Sequence, residues 1–590
     1  MLADSRNHLS SRRLRASAPE NTPGCGMSMS PSFVCDGNPV AYSDGRHSWM
    51  NIAEARMHRG TIDFEGAKVR AIESHSTLTS VLARTRRHVS LTSDKTRRTM
   101  GQIFTPLAVA QLMANWIEPI RREFRFIDAG AGVGMLTAAV CERVASFDES
   151  RIIHADAYET DIAVLPALRE TMHQCEQFLV GRGHRFTFVI HEDDFVLRRP
   201  RASLFSADAH DAVADVVIMN PPYLKLPKDA PQARAFAELI HGQPNLYALF
   251  MAAAVELLKP GGELIAISPR SFCNGLYFRE FRRWFLARMA LRQMHIFESR
   301  RTTFKDSDVL QESVITVATR QSQPRLTIGV SSSNGRNLTH PYSRSYPTDS
   351  VVDNSSGDAV IRIPSSDLDL PVIRAVEAWS ATFAERGLRI STGPVVSFRA
   401  TPFLLPTADH PDAIPLFSIH NVRPFATVWP LTKGKKPIAF RWCDGSARLV
   451  LPARNYVLLR RFSAKEEHRR LTASAYIPSM HERARPIAIE NHLNYVTHQS
   501  RELTAFEAHG LTALFNSAFL DRYFRTFSGN TQVNATEIRS LPFPGLESLA
   551  KIGQRIASIP IGCRTNIEEI VLEELGIESS TLTGISEIHA

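Results

Sequence analysis

Residues 215–224 read "DVVIMNPPYL". Asp215 to Met219 read as a buried strand, because β-branched and apolar residues follow a single charge. The strand then meets Asn220, Pro221, Pro222 and Tyr223. The two prolines have fixed φ and no backbone N–H, so a ladder cannot run on through them. A core strand that stops on a rigid amide–proline–proline–aromatic corner presents its last polar groups in a fixed place. The amide oxygen of Asn220 and the carbonyl of Pro221 are both acceptors. Two acceptors at a set spacing match the two hydrogens of one –NH₂ group, and Tyr223 offers a face on which a planar base can stack. The bland alternative is a proline-rich strand terminator.

Outward from this strand, residues from about Gly101 to Arg320 alternate between strand-like and helical runs. The strand candidates are "FRFIDAG", "RIIHADAYET", "RFTFVIHEDDF", "DVVIMNPPY", "GELIAIS", "QMHIFE" and "SVITVATR". Helical runs such as "TPLAVAQLMANWIEPI" and "NLYALFMAAAVELLK" lie between several of them. This alternation predicts an α/β fold, a mostly parallel sheet with helices on both faces. Pro260 and two glycines stop the second helix before the next strand.

Three further stretches sit where strands end, which is where such sheets bind ligands. In "FIDAGAGVGMLT" (126–137) a strand ends at Asp128, and Gly130, Gly132 and Gly134 open a turn before a helix. Glycine there lets the backbone come close to a ligand. The spacing is GxGxG and no GK[ST] follows, so this is not a P-loop. In "AYETD" (157–161) Glu159 is placed to accept from both hydroxyls of a ribose on an adenosyl cofactor, or is a solvated carboxylate. In "HEDDFVL" (191–197) Asp194 can accept from an adenine amine with Phe195 packed on the ring, or can cap a helix.

The 590 residues allow two to four domains. No run of about 18 uncharged apolar residues is present, so no membrane span is expected. Seven cysteines form no CxxC pair, which points to reduced thiols in a cytoplasm rather than to zinc or disulfides. Residues 1–60 are rich in Ser, Arg, Asn, Gly and Pro without periodicity and read as a poorly ordered tail. The expected organisation is then a sheet domain over 61–325, a linker or elaborated loop over 326–370, a mixed region over 371–550 and a helical end over 551–590. The formal charge is +9. Lys433–Arg485 carries 13 Lys or Arg against 4 Asp or Glu, a local excess equal to that of the whole chain. Phe440, Trp442, Tyr456, Phe462 and Tyr476 are interleaved with those cations, a pattern that suits nucleic acid. Arg460, Arg461, Arg469 and Arg470 are the candidates for phosphate or base-edge contacts, and "SGNTQVN" (528–534) is either a DNA-facing loop or a turn.

With these stretches in this order, the chain resembles the gamma-class DNA adenine-N6 methyltransferases of the TaqI and XhoI type. "GQIFTPLAVAQLM" (101–113) stands where that class has its FTP motif, just upstream of the glycine turn. The resemblance covers about 65–330 and continues more loosely through "STGPVVSFRA", "YVLLRRFSAKEEHRR", "IENHLNYV" and "FSGNTQVNATEIRSLPFP". It implies a Rossmann-like S-adenosylmethionine-dependent sheet followed by a mixed α/β target-recognition domain. It implies Thr105, Pro106 and Asp128 at the methionine end of S-adenosylmethionine, with Gly130 and Gly132 in the turn. It further implies Glu159 on the ribose, Asp194 and Phe195 on the adenine, and Asn220, Pro221, Pro222 and Tyr223 as the catalytic tetrapeptide. "TTFKDSDVLQESVITVATR" (302–320) matches a later motif, with Phe304 as a second aromatic beside the flipped base. The implied partners are double-stranded DNA and a separately encoded restriction endonuclease. The implied place is the bacterial cytoplasm, on the nucleoid when DNA-bound.

The main rival is an NPPY enzyme that methylates a glutamine amide in protein, but an FTP motif and a long basic region are superfluous there. A cytosine-N4 enzyme more often opens the tetrapeptide with Ser or Asp, and a cytosine-C5 enzyme needs a Pro–Cys pair that this chain lacks. A regulator on a degenerate scaffold would have lost site residues, yet Asp128, Glu159, Asp194 and Asn220 are all in place. No PD…(D/E)xK pattern marks a fused nuclease in the first hundred residues.

Overall fold

The computed structural model describes residues 77–118, 121–198, 212–297, 312–321, 323–333, 338, 342–353, 357–431, 436–463, 467–478, 485–529, 532–559 and 567–578. The tail expected over 1–60 and the expected second aromatic Phe304 lie outside them. Two compact units divide the chain at Arg59, and all described residues belong to the second, 60–590.

The N-terminal lobe is built on a nine-stranded sheet. Its strands are β1 (Glu123–Ala129), β2 (Ile152–Tyr158), β3 (Arg185–His191), β4 (Ala214–Met219), β5 (Leu258–Pro269), β6 (Met289–Phe297), β7 (Ser313–Arg320), β8 (Thr327–Ser333) and β9 (Tyr342–Pro347). Their spatial order is β3-β2-β1-β4-β5-β7-β6-β8-β9. β1 to β5 pair in parallel, whereas β7 runs antiparallel between β5 and β6. The chain therefore winds outward from β1 through β2 to β3, then crosses back to lay β4 on the other side of β1. That reversal leaves a crevice at the carboxyl ends of β1 and β4, the place where a doubly wound sheet takes its ligand.

The helices before and between these strands are α1 (Thr77–Leu91), α2 (Asp94–Met100), α3 (Leu107–Asn115), α4 (Met135–Val144), α5 (Leu165–Val180), α6 (Pro231–Ala235), α7 (Leu246–Leu257) and α8 (Arg279–Leu286). They cover both faces, as the alternating pattern predicts. α7 (LYALFMAAAVEL) is apolar all round, and it is correspondingly sunk in the core beneath β4 and β5. One cluster on each face, around Phe250 and around Leu136, locks the layers together.

The segment expected as a linker over 326–370 differs from that expectation. β8 joins β6 in parallel and β9 closes the edge antiparallel, so residues 327–347 extend the sheet. Their serines mislead a reader of composition: Ser331 and Ser333 point inward and hold the buried His295 between their hydroxyls, each at 2.9 Å.

The C-terminal lobe has an antiparallel four-stranded sheet of Leu388–Thr392, Leu493–His498, Tyr456–Arg460 and Ala473–Tyr476, in that order. A five-stranded sheet built mostly of two- to five-residue strands lies beside it. Helices Ala505–Asn516, Ala518–Phe527, Leu546–Ala557 and Ile567–Glu574 complete its core. The boundary expected at 550/551 falls inside the helix Leu546–Ala557, so the helical end belongs to this lobe.

Candidate active site

The crevice at the switch point is a cleft with walls from five stretches: Met100–Thr105, the turn Gly130–Val133, Tyr158–Asp161, Asp193 with Phe195, and Asn220 with Pro222. Phe250 of α7 closes its floor. Gly130, Gly132 and Gly134 all have positive φ (77°, 55° and 87°), which is why this turn is written in glycine. At Gly134 a Cβ would also press on Thr171 of α5 at 2.8 Å.

Asp128 ends β1, is fully buried and lies beneath this turn. One carboxylate oxygen accepts from the backbone N–H and the hydroxyl of Thr137 at 3.1 and 2.7 Å, which satisfies an orphan donor in the first turn of α4. The other oxygen has no partner. Burial pushes its pKa up to about 7, against the pull of the Thr137 bonds. Glu159 lies in the cleft, with its oxygens accepting at 2.8 Å from the N–H groups of Gly132 and Asp161. Burial raises its pKa too. Each of those oxygens keeps a lone pair for a hydroxyl in the cleft.

The strand-end amide is held firmly. Asn220 donates through Nδ2 to the carbonyl of Ile103 at 2.9 Å and to the Thr105 hydroxyl at 3.0 Å. A carbonyl oxygen can only accept, so this pair fixes which end of the amide is nitrogen. Asn220 Oδ1 is left buried and without a partner. Tyr223 stands behind the corner, half-buried. Its hydroxyl reaches the Ile267 carbonyl at 3.4 Å, its ring meets Tyr247 edge-on, and burial raises its pKa.

Not every expected residue lines the cleft. Pro106 turns away and starts α3, with its carbonyl accepting from Ala110. The Asp194 carboxylate is occupied locally: Oδ1 accepts from the N–H groups of Val196 and Leu197, and Oδ2 from Gln232 at 2.7 Å. Asp194 thus braces the turn over 195–198, where no helix starts, and its neighbour Asp193 lines the cleft instead. Tyr158 and Phe250, which pack with Phe195 at ring distances of 5.0 and 5.3 Å, escaped sequence reading because each looks like ordinary core within its own element.

The basic segment of the C-terminal lobe also differs from expectation. Arg470 is buried, its guanidinium donating to the Ser528 carbonyl at 3.2 Å, and burial lowers its pKa to about 10. Arg460 spends two guanidinium nitrogens on the Val422 carbonyl. Arg461 binds the Asn491 carbonyl and Gln532. Arg469 is half-exposed and faces Glu568. Phe440, Tyr456 and Tyr476 are core residues, while Trp442 is about half exposed.

Residues 190–304 match the Eco57I restriction-modification methylase family. The chain is 34% identical to the type II methyltransferase M.PstI of Providencia stuartii over 485 residues, 82% of this chain and 94% of that protein. It is 31% identical to M.BsuBI of Bacillus subtilis over 82% of this chain and 96% of that protein. The chain belongs to the type II restriction–modification methyltransferases. Among solved structures, the type IIG restriction endonuclease BpuSI aligns with 82% of this chain and 66% of its own at 14% identity and a TM-score of 0.39. The DrdV–DNA complex aligns with 81% and 59% at 12% identity and a TM-score of 0.44.

As a methylase of this family the chain is a DNA methyltransferase, and S-adenosylmethionine is its cofactor. The lining suits that molecule: the Glu159 carboxylate, the glycine turn and the rings of Tyr158, Phe195 and Phe250 face the cleft, whereas Asp128, expected at the cofactor, is buried beneath the turn and does not line it. Among the described residues no group of three or more His, Cys, Asp or Glu could hold a metal ion. Nor is any helix among them long and apolar enough to cross a membrane.

Proposed function

We propose that this methyltransferase modifies the N6 amine of an adenine extruded from duplex DNA at a specific site, with cleavage left to a separately encoded endonuclease. The orientation of Asn220 carries the reading: its nitrogen is tied to Ile103 and Thr105, and its oxygen faces no donor. An amine nitrogen delivered there meets Asn220 Oδ1 and the Pro221 carbonyl as paired acceptors. An aromatic amine is a poor nucleophile because its lone pair is delocalised into the ring. Two N–H···O bonds favour a pyramidal nitrogen whose lone pair points out of the ring plane, and preset dipoles of this kind act where charge develops. S-adenosylmethionine supplies the methyl on a sulfonium for direct displacement. On this reading Glu159 holds its ribose, Phe195 with Tyr158 and Phe250 its adenine, and Asp193 takes the amine contact foreseen for Asp194. Thr105, on the cleft wall, orients the Asn220 amide.

The amine is out of reach inside a duplex, so the base must leave the stack, at a cost of a few kcal/mol. Stacking on Tyr223 offsets part of that, with Phe304 as the second aromatic. Exposed cations of the basic segment, Arg441, Arg448 and Arg454, are better placed for phosphate contacts than the arginines engaged within the lobe.

Purified protein incubated with plasmid and methyl-labelled S-adenosylmethionine should yield N6-methyladenine on nucleoside digestion. Label in N4-methylcytosine, or in protein glutamine and not in DNA, would sink the reading. Asn220→Ala should lower turnover by about 10²–10³-fold, the scale seen when one preset hydrogen-bonding group is removed from a site. Its cofactor affinity, measured by titration calorimetry, should stay close to that of the parent.

A further inference from the structure

A second cavity, of about 580 Å³, opens between the two lobes. It starts five residues beyond Asn220, where Lys225 and Asn245 form an isolated bridge. Ser271 lines it and bonds Tyr247 at 2.9 Å, and Tyr247 in turn packs against Tyr223. From the C-terminal lobe come Gly529, Gln532 and Asn534 of "SGNTQVN", the stretch that sequence left between loop and turn.

Asn274 repeats the design of Asn220 in this cavity. It follows the end of β5, the strand next to β4, and lies at the same edge of the sheet. Its Nδ2 donates to Glu537 Oε1 of the opposite lobe at 2.8 Å. A carboxylate is drawn to the donor end, so Oδ1 is the end left over. That oxygen is buried without a partner, on a side chain only 9% exposed. A buried acceptor left open in this way is costly unless something donates to it. Aromatic area is at hand as well. Tyr277, 56% exposed, lines the cavity with its ring against Gly242, where any Cβ would overlap it. The charges on the wall are four carboxylates (Glu312, Asp353, Asp358, Glu537) against two cations (Lys225, Arg362), which disfavours a phosphate. An uncharged planar group with N–H donors suits this lining.

We infer that the inter-lobe cavity is a second nucleobase subsite, in which Asn274 Oδ1 accepts from a base N–H and Tyr277 stacks on the ring. It rests on the reading of the chain as a DNA methyltransferase and adds a specificity-determining residue to it. The base it takes is not the one methylated, since no residue of the methyl-accepting corner, Asn220 to Tyr223, lines this cavity.

The test uses the full chain and a plasmid library with randomised sequence, mapped for methylation by long-read sequencing. Wild type defines the preferred base at each position. Asn274→Ala should cut discrimination at one position by about tenfold or more, with the other positions and cofactor affinity unchanged. Preferences unchanged throughout, or an even loss at all sites, would overturn the inference. Tyr277→Ala lies on the exposed rim and decides the matter should Asn274→Ala not fold. It should raise KM for DNA about fivefold or more while kcat holds, and an unmoved KM refutes the subsite. Wild type that places no methyl in DNA defeats the proposed function itself, a failure distinct from that of a variant that behaves as its active parent.

Discussion

The pinning of Asn220 divides its labour between two neighbours, and that division can be measured. Thr105→Val removes one acceptor from Nδ2 and keeps the Ile103 bond. One hydrogen bond of about 1 kcal/mol corresponds to a roughly fivefold fall in turnover, well short of the loss in Asn220→Ala. A variant as inactive as Asn220→Ala would mean Thr105 does more than orient the amide. His295 gives a pH signature at the same scale. Burial holds its pKa down at about 4 against an ordinary 6.5, and the Ser331 and Ser333 hydroxyls accommodate the neutral ring. A depressed histidine contributes stability that is present above pH 6.5 and lost as pH falls toward 4, up to roughly 3 kcal/mol. Asp128 works in the opposite sense, since its raised pKa costs stability as pH rises toward 7. The readout is therefore a difference. The denaturant stability of wild type minus His295→Gln should fall between pH 6.5 and 4 and be flat above 7. A flat difference throughout would refute the burial argument.

Elements meet in this protein where small residues permit it. Helices Ala505–Asn516 and Leu546–Ala557 cross with Gly510 under the Leu549 carbonyl and Gly553 under that of Phe506, and a Cβ on either glycine would overlap the facing backbone. Backbone cannot give way as a side-chain tip can. Gly553→Ala should cost about 1–3 kcal/mol by overpacking, read as a lower midpoint in thermal unfolding. An unchanged midpoint would show that the crossing is looser than drawn. Strand elements β1 to β7 were legible because each carries β-branched, aromatic or other apolar residues bounded by glycine, proline or charge. β8 and β9 were not, because "TIGVSSS" and "YSRSYP" carry the polar composition of a loop. They become strands by pairing onto an edge that the rest of the sheet provides, and local sequence does not contain that edge.

At the scale of the molecule, a buried arginine held by an ion pair within the N-terminal lobe ties the lobes. Arg270, at the end of β5, pairs with Glu312 at 3.2 Å and donates to the carbonyls of Arg525 and Thr526 in the C-terminal lobe. Both side chains are almost wholly buried, at 3% and 1% exposed. Removing one partner of a buried pair costs about 3–5 kcal/mol, because the other charge keeps its desolvation penalty. Arg270→Ala should lose that much and, by untying the lobes, split a single calorimetric transition in two. One transition at the parent temperature would refute the role. The basic segment belongs to this scale too. Its charge count was readable, but which arginines face solvent was not. Arg470 and Arg460 are spent on carbonyls that come near only after the C-terminal sheet and helices have packed.

The sequence alone determined the alternation of strands and helices and the glycine turn after Asp128. It also determined the Asn–Pro–Pro–Tyr corner at the end of β4. These are local matters of backbone freedom and hydrophobic period, settled within a few residues. Tertiary structure alone decided which end of the Asn220 amide faces the cleft, that Asp193 and not Asp194 lines it, and that the cavity beside Asn274 exists. Each of those depends on groups far apart in the chain, and no local pattern records what a fold will bring within 3 Å of an oxygen.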